Sequence, residues 1–407
     1  MNVVINHIAL NNFVKKSGTN KPLSLDPNEL LSHHLMIVGA TGNGKSTSLL
    51  SLVESLQQSQ QTSIIFDATG EYSQIPHAIT YTLGEDANLD FAELGANDIG
   101  NILGIKNDHL IPKLAMAIES LKIQKNVIKN NGTYIKINKK LTTFDQEQQK
   151  LSVFGRDYDA TLLMTQVIQE FAVPFGDSRA NYDLLGQEID HEAIRSQWGD
   201  LLSGQSRVRQ PTLNRVFNMH HNHTVPRTTQ TDIFYILKLF SERRSQQRTL
   251  VIDVSQLKTG SDVSRLVLSL LLKKLLTIRM ASTIRFPITI FLDEAHRYMP
   301  ENQKQLNDTG LFKILREGRK YGIYSVVSTQ SPLDIPAQLS GQFGSALIHQ
   351  LNHPDELQQI VSLENIVDYH NLSVGQAILK MYRNPNTKLE DVTNPATKHN
   401  TASPKFR

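Results

Sequence analysis

From about residue 35 the chain alternates short, wholly apolar runs with stretches of helical periodicity, the pattern of parallel strands covered on both faces by helices. The apolar runs predict strands at Leu35–Val38, Ser63–Phe66, Thr249–Ile252, Ile288–Leu292, Tyr324–Val327, Ala346–His349 and Ala377–Met381. The clearest helix is Asp262–Arg279, where Val263, Leu266, Val267, Leu270 and Leu271 recur at i, i+3, i+4, i+7 and i+8 as one apolar stripe. Between residues 87 and 244 the alternation stops. The sequence there is helical and polar, broken at Asn131-Gly132 and Val173-Pro174-Phe175-Gly176, and is read as an insertion. The expected organisation is a short N-terminal arm over 1–30, an α/β core from 31–86 and 245–392, a mainly helical insertion over 87–244, and a mobile polar tail over 393–407. The fold class is α/β, with a mostly parallel sheet flanked by helices.

Composition narrows the chemistry. Forty-two Lys and Arg against 39 Asp and Glu leave a net charge of +3, too weak to attract a polyanion globally, so any such surface must be local. The 407 residues contain no cysteine, which excludes disulfides, thiolate zinc sites and thiol catalysis. The most apolar window, Leu266 to Leu276, is interrupted by Lys273 and Lys274, and no run approaches the roughly 18 apolar residues of a membrane span. The N-terminus lacks the basic start and apolar stretch of a secretory signal. A soluble, cytoplasmic protein with no membrane partner is expected.

Directly after the first predicted strand stands Gly39-Ala40-Thr41-Gly42-Asn43-Gly44-Lys45-Ser46-Thr47, which opens the helical run Ser48-Leu49-Leu50-Ser51-Leu52-Val53. Glycines let successive N–H groups curl around an anion, and the helix N-terminus adds partial positive charge, so these nine residues are the expected nucleotide cradle. Lys45 would reach the β- and γ-phosphates of ATP, and the Ser46 hydroxyl would ligate Mg²⁺. A second site is needed for the metal and for water. Asp293 and Glu294, at the end of the apolar run Ile288–Leu292, supply it: Asp293 for the metal's water shell and Glu294 as the base toward the attacking water.

Together with that loop, Asp293-Glu294-Ala295-His296-Arg297-Tyr298-Met299-Pro300 and Arg316-Glu317-Gly318-Arg319-Lys320-Tyr321-Gly322 resemble the HerA family of the FtsK–HerA ATPases. Asp67-Ala68-Thr69-Gly70-Glu71-Tyr72 is similar to that family's D-P-H-G-E-Y segment, and Ser328-Thr329-Gln330-Ser331-Pro332 to its S-Q-R-P segment, with departures at Ala68, Thr69 and Ser331. The resemblance implies a RecA-like P-loop core in a homohexameric ring that hydrolyses ATP and moves double-stranded DNA. It makes Gln330 the γ-phosphate sensor. Arg316 and Arg319 become candidates for the arginine that stabilises transition-state charge, in cis or from a neighbour. It also implies a partner, a nuclease or a NAD-consuming effector, in DNA repair or antiviral defence. The family's β-barrel usually precedes the phosphate loop, whereas 38 residues precede Gly39 here, so a missing or vestigial barrel is expected. A second reading is a ring scaffold in which ATP assembles and activates an effector enzyme without moving DNA.

Lys122, Lys125, Lys129, Lys136, Lys139 and Lys140 crowd one segment around Tyr134 with no acid between them, so they either line a DNA path or form a solvated face. Arg207, Arg209 and Arg215 share that ambiguity. His220-His221-Asn222-His223 lacks the spaced carboxylate or cysteine that would complete a metal site and is read as a polar turn. Trp198, the sole tryptophan, is expected to pack.

Overall fold

The computed structural model describes residues 8–105, 107–219, 230–244, 248–257, 262–284, 286–300, 303–360, 372–382 and 384–397; the histidines at 220, 221 and 223 lie outside them. The chain forms two compact units, Met1–Thr82 with Phe234–Arg407, and Leu83–Ile233.

The first unit is built on one ten-stranded sheet. Its strands in chain order are β1 (Val14–Lys16), β2 (Leu35–Val38), β3 (Thr62–Asp67), β4 (Ala78–Thr82), β5 (Thr249–Asp253), β6 (Ile288–Leu292), β7 (Ile323–Thr329), β8 (Ser345–Ile348), β9 (Gln376–Met381) and β10 (Asn384–Val392). They lie side by side in the order β1-β10-β9-β8-β2-β7-β6-β3-β5-β4. From β8 to β4 all pairings are parallel, and β9, β10 and β1 add an antiparallel edge. All seven strands read from the apolar runs are present, and every residue of β2, β3, β5 and β6 is buried, as parallel strands covered on both faces require.

Three strands escaped the hydrophobic pattern, and each lies toward an edge of the sheet. β4 is half-buried along its length, β1 has three residues, and β10 carries Lys388, Glu390 and Asp391. Residues 10–25 are therefore no separate arm. Val14 pairs with Val392, while Leu10, Phe13 and Leu25 are buried beneath helix α1 (Lys45–Gln58), in the core that also holds Leu49, Val53, Phe291 and Val326. The tail is held as far as Thr397: the Glu54 carboxylate on α1 accepts from Ala396 N at 2.9 Å, Thr397 N at 2.8 Å and Thr397 Oγ1 at 2.7 Å. Residues 398–407 lie outside the described residues.

Helix α2 (Asp262–Ala281) carries the predicted stripe, with Val267, Leu270 and Leu271 buried, and packs against α3 (Gly310–Glu317). Near its end Arg279 is wholly buried. Its guanidinium donates to the carbonyls of Tyr321 (2.9 Å), Ser241 (2.7 Å), Ile284 (3.2 Å) and Phe286 (2.8 Å). The second unit ends at Ile233 rather than 244, and from Phe234 onward the helix over Ile233–Glu242 belongs to the first unit, where Arg279 meets the Ser241 carbonyl.

The second unit is mainly helical, with helices at Ala96–Leu103, Leu110–Ile123, Leu141–Lys150, Trp198–Val208 and Pro211–Phe217. Lys136 and Glu170 form an ion pair of 2.5 Å inside it, their side chains 4% and 0% exposed. Trp198 is 48% exposed, contrary to the expectation that it packs, because it opens its helix on the solvent side.

Candidate functional site

Strand register sets the site. Val38 is level with Thr329 and Ile348, and Leu292 is level with Val327 and Phe66. Gly39, Gln330, His349 and Asp293 therefore leave the sheet at the same edge, the carboxyl ends of parallel strands where open α/β sheets bind ligands.

The loop after β2 winds into α1. Gly42 and Gly44 hold φ of 85° and 108°, a region open to glycine and costly for other residues, and Gly44 is the helix N-cap. The loop is braced from beneath: Ala40 N and Asn43 Nδ2 donate to the Gln350 carbonyl at 2.8 and 2.9 Å. A Cβ on Gly39 would come 2.6 Å from the His349 Cβ, so the first glycine is required by packing. Lys45 is buried, its Nζ donating to the Gly39 carbonyl at 2.8 Å. Burial lowers its pKa, while the charges of Glu294, Asp293 and Asp334 act in the opposite sense. Ser46 and Thr47 are half-buried in the first turn of α1.

Asp293 is 4% exposed and its carboxylate accepts three hydrogen bonds. Tyr72 Oη donates to Oδ2 at 2.5 Å, and Oδ1 accepts from the Ser328 hydroxyl and from Glu294 N at 3.0 Å. Burial first, and then the Asp293 charge, push the Tyr72 phenol well above its ordinary pKa, so it remains a donor. The turn carrying Tyr72 is organised by Asp67, whose carboxylate accepts from Thr69 N (2.9 Å), Gly70 N (2.8 Å) and Tyr72 N (2.9 Å). Burial raises the Asp67 pKa against these bonds. Tyr298 Oη and Arg297 Nη1 reach the Phe66 and Ala68 carbonyls at 2.8 and 3.2 Å, tying the residues after β6 to those after β3.

Glu294 sits at φ 55°, an uncommon conformation for a side-chain-bearing residue. Gln330 Nε2 donates to its two carboxylate oxygens at 3.2 and 3.3 Å, and Gln330 Oε1 accepts from Thr41 Oγ1 at 3.1 Å. His296 Nδ1 lies 3.4 Å from Glu294 Oε2. An open cleft beside Gln330 is lined by His296, Asp334, His353 and Glu356.

His349 escaped sequence reasoning. Its Nδ1 faces the Gln376 carbonyl at 2.9 Å and must donate, so Nε2 accepts from Ser48 Oγ at 2.7 Å. This neutral form agrees with burial holding its pKa at about 4. A lone histidine at a strand end carries no signal in sequence; only the register of β8 beside β2 brings it under the loop.

The two arginines are not brought to this edge. Arg316 lies in the last turn of α3 with its guanidinium 5.2 Å from the centre of the Phe312 ring, and Arg319 Nη1 reaches the Ser32 carbonyl at 3.5 Å. Both precede β7, whose seven residues span about 20 Å before Gln330, so both lie at the opposite end of that strand from the phosphate loop. The lysine cluster also divides. Lys136 pairs with Glu170, Lys139 with Glu147 at 2.9 Å, and Tyr134 is buried and donates to Glu147 at 2.6 Å. Tyr134 is unavailable for stacking and Lys136 for phosphate, because acids remote in sequence fold onto them. Lys129 and Lys140 are exposed and Lys125 is half-buried.

Residues 12–275 match the family described as "Helicase HerA, central domain". The chain belongs to this HerA family. It is 23% identical over 376 residues to the DNA double-strand break repair helicase HerA of Saccharolobus solfataricus, covering 89% of this chain and 64% of that one. The namesake of Sulfolobus acidocaldarius is 22% identical over 381 residues, covering 90% and 65%. The HerA-family chain therefore spans just under two thirds of the length of these relatives. Its fold is similar to that of VirB4 of Thermoanaerobacter pseudethanolicus, with a TM-score of 0.59 at 13% identity over 96% of both chains. It is also similar to plasmid coupling protein TrwB in complex with ADP and Mg²⁺, with a TM-score of 0.53 at 15% identity over 97% and 92%. No helix among the described residues is long and apolar enough to cross a membrane.

Proposed function

We propose that this HerA-family chain is an ATP-hydrolysing DNA translocase or helicase subunit that works in a homohexameric ring. The observation that carries the reading is the meeting, at one sheet edge, of the glycine loop with Lys45, the Asp293–Glu294 pair and Gln330. Residues 39–47 would hold the phosphates through backbone N–H groups, with Lys45 turning from the Gly39 carbonyl to the β- and γ-phosphates. The donor set suits a nucleotide-bound Mg²⁺. Ser46 would ligate it directly, and Asp293, already bonded to Tyr72 and Ser328, would meet it through water. When bound, that ion would neutralise charge on the phosphate oxygens. Glu294 takes the proton of the attacking water, and Gln330 orients the γ-phosphate. The distance of Arg316 and Arg319 from their own loop supports a role toward the loop of a neighbouring subunit.

The names of the curated relatives support DNA double-strand break repair as the setting. Lys45→Ala should abolish nucleotide binding and turnover, and Glu294→Gln should retain binding while hydrolysis falls by about 10²-fold or more. Unchanged phosphate release by either variant removes its assigned role. One observation favours a second reading, a ring scaffold that activates a partner effector without moving DNA: the internal pairing of Lys136 and Lys139 thins the predicted DNA-contacting cluster. Duplex DNA that stimulates hydrolysis supports the translocase; hydrolysis indifferent to DNA supports the scaffold.

A further inference from the structure

Thr41 is one of the four unspecified positions of the G-x-x-x-x-G-K-S motif, and its side chain is exposed. A carboxylate only accepts, so the contacts at 3.2 and 3.3 Å to Glu294 require the nitrogen end of the Gln330 amide. The oxygen end is left facing Thr41, whose hydroxyl donates to it at 3.1 Å. Rotating the amide by half a turn would set its oxygen against the carboxylate, so Glu294 fixes which end of the amide faces it, and Thr41 anchors the other end. Thr41 therefore ties to the loop the amide whose nitrogen end meets Glu294, and so bears on where the Gln330 donor and the Glu294 carboxylate lie relative to the loop.

We propose that Thr41 is a positioning residue for hydrolysis: its hydroxyl anchors the Gln330 amide, which in turn donates to the Glu294 carboxylate and holds it beside the phosphate loop. The inference rests on the ATPase reading. Its distinctive consequence is a separation of binding from turnover, because the hydroxyl acts through Gln330 and not through the cradle. A valine keeps the shape and removes the donor; a serine keeps the donor and removes a methyl group.

The test uses the full chain, with ATP and ADP affinities from calorimetry and turnover from phosphate release at saturating ATP. Thr41→Val should leave both affinities within about twofold and lower kcat by about tenfold or more. Thr41→Ser should restore kcat to within about twofold of the parent. In a Gln330→Ala background, Thr41→Val should have no further effect, since the residues act in series. The proposal is overturned if Thr41→Val keeps its kcat, if Thr41→Ser is as impaired as the valine variant, or if affinity and kcat fall together. A parent chain that binds no ATP would instead remove the ATPase reading itself.

Discussion

Lys136 and Lys129 stand seven positions apart in one basic run, yet the fold gives them opposite roles. Lys136 is buried against Glu170, 34 residues on, with its ammonium 4.7 Å from the centre of the Phe144 ring. Lys129 is exposed at the end of a helical turn, with φ 60°. Replacing Lys136 by Ala should destabilise the protein by about 3–5 kcal/mol in urea unfolding, because Glu170 would keep a buried charge without its partner. Lys129→Ala and Lys140→Ala should leave stability within about 0.5 kcal/mol. If duplex DNA follows this surface, each should flatten the dependence of log Kd on log salt by about 0.9. A stable Lys136→Ala protein with weakened DNA binding would reverse the assignment. The same logic separates the site residues. Lys45, Asp293 and Glu294 were legible because a glycine loop and an acidic strand end each carry a local pattern. Tyr72, Ser328 and His349 were not assigned these contacts, because each acquires its partner across the sheet.

Among the elements, the buried parallel strands were legible because their apolar runs leave little alternative, whereas β1, β4 and β10 lie at or next to a sheet edge, where pairing supplies what hydrophobicity does not. Arg279 marks the other limit of pattern reading. At the end of an amphipathic helix it looks like a solvated terminal cation, and α2 does end there in the sense the macrodipole favours. The fold instead buries it and uses it to tie α2 to the segments around Ser241, Ile284, Phe286 and Tyr321. Gly322 is part of the fit, since a Cβ there would come 2.9 Å from the guanidinium. Arg279→Met preserves much of the volume but strips donors from four carbonyls. It should lower stability by about 3–5 kcal/mol in chemical denaturation; a loss below about 1 kcal/mol would show that water replaces the guanidinium.

For the whole molecule, acid sensitivity follows from two neutral histidines in the first unit. His34 accepts from Ser325 N through Nδ1 at 2.9 Å and donates through Nε2 to the Leu315 carbonyl at 3.0 Å; His349 is held between Ser48 and Gln376. Burial lowers both from 6.5 to about 4. The unfolded chain therefore binds protons that the folded chain refuses. The contribution is complete above pH 6.5 and is lost as pH falls toward 4, up to about 3 kcal/mol for each histidine. Asp67 and Glu390, raised above ordinary carboxylate values by burial, act in the opposite sense over part of that window. Comparing urea midpoints of the parent and His34→Gln from pH 7 to 4 isolates the histidine contribution; the variant should lose less stability on acidification, and equal losses would contradict it. The sequence alone determined the class of fold, the phosphate loop and the acidic strand end, because periodicity and glycine spacing act over neighbouring residues. Only the tertiary structure decided which lysines remain available, how far the arginines lie from their own loop, and that Thr41, Gln330 and Glu294 form one chain of contacts. The lysines are settled by packing within the helical unit, where Glu147 and Glu170 fold onto them; the other two facts depend on strand order and register, which join residues hundreds of positions apart.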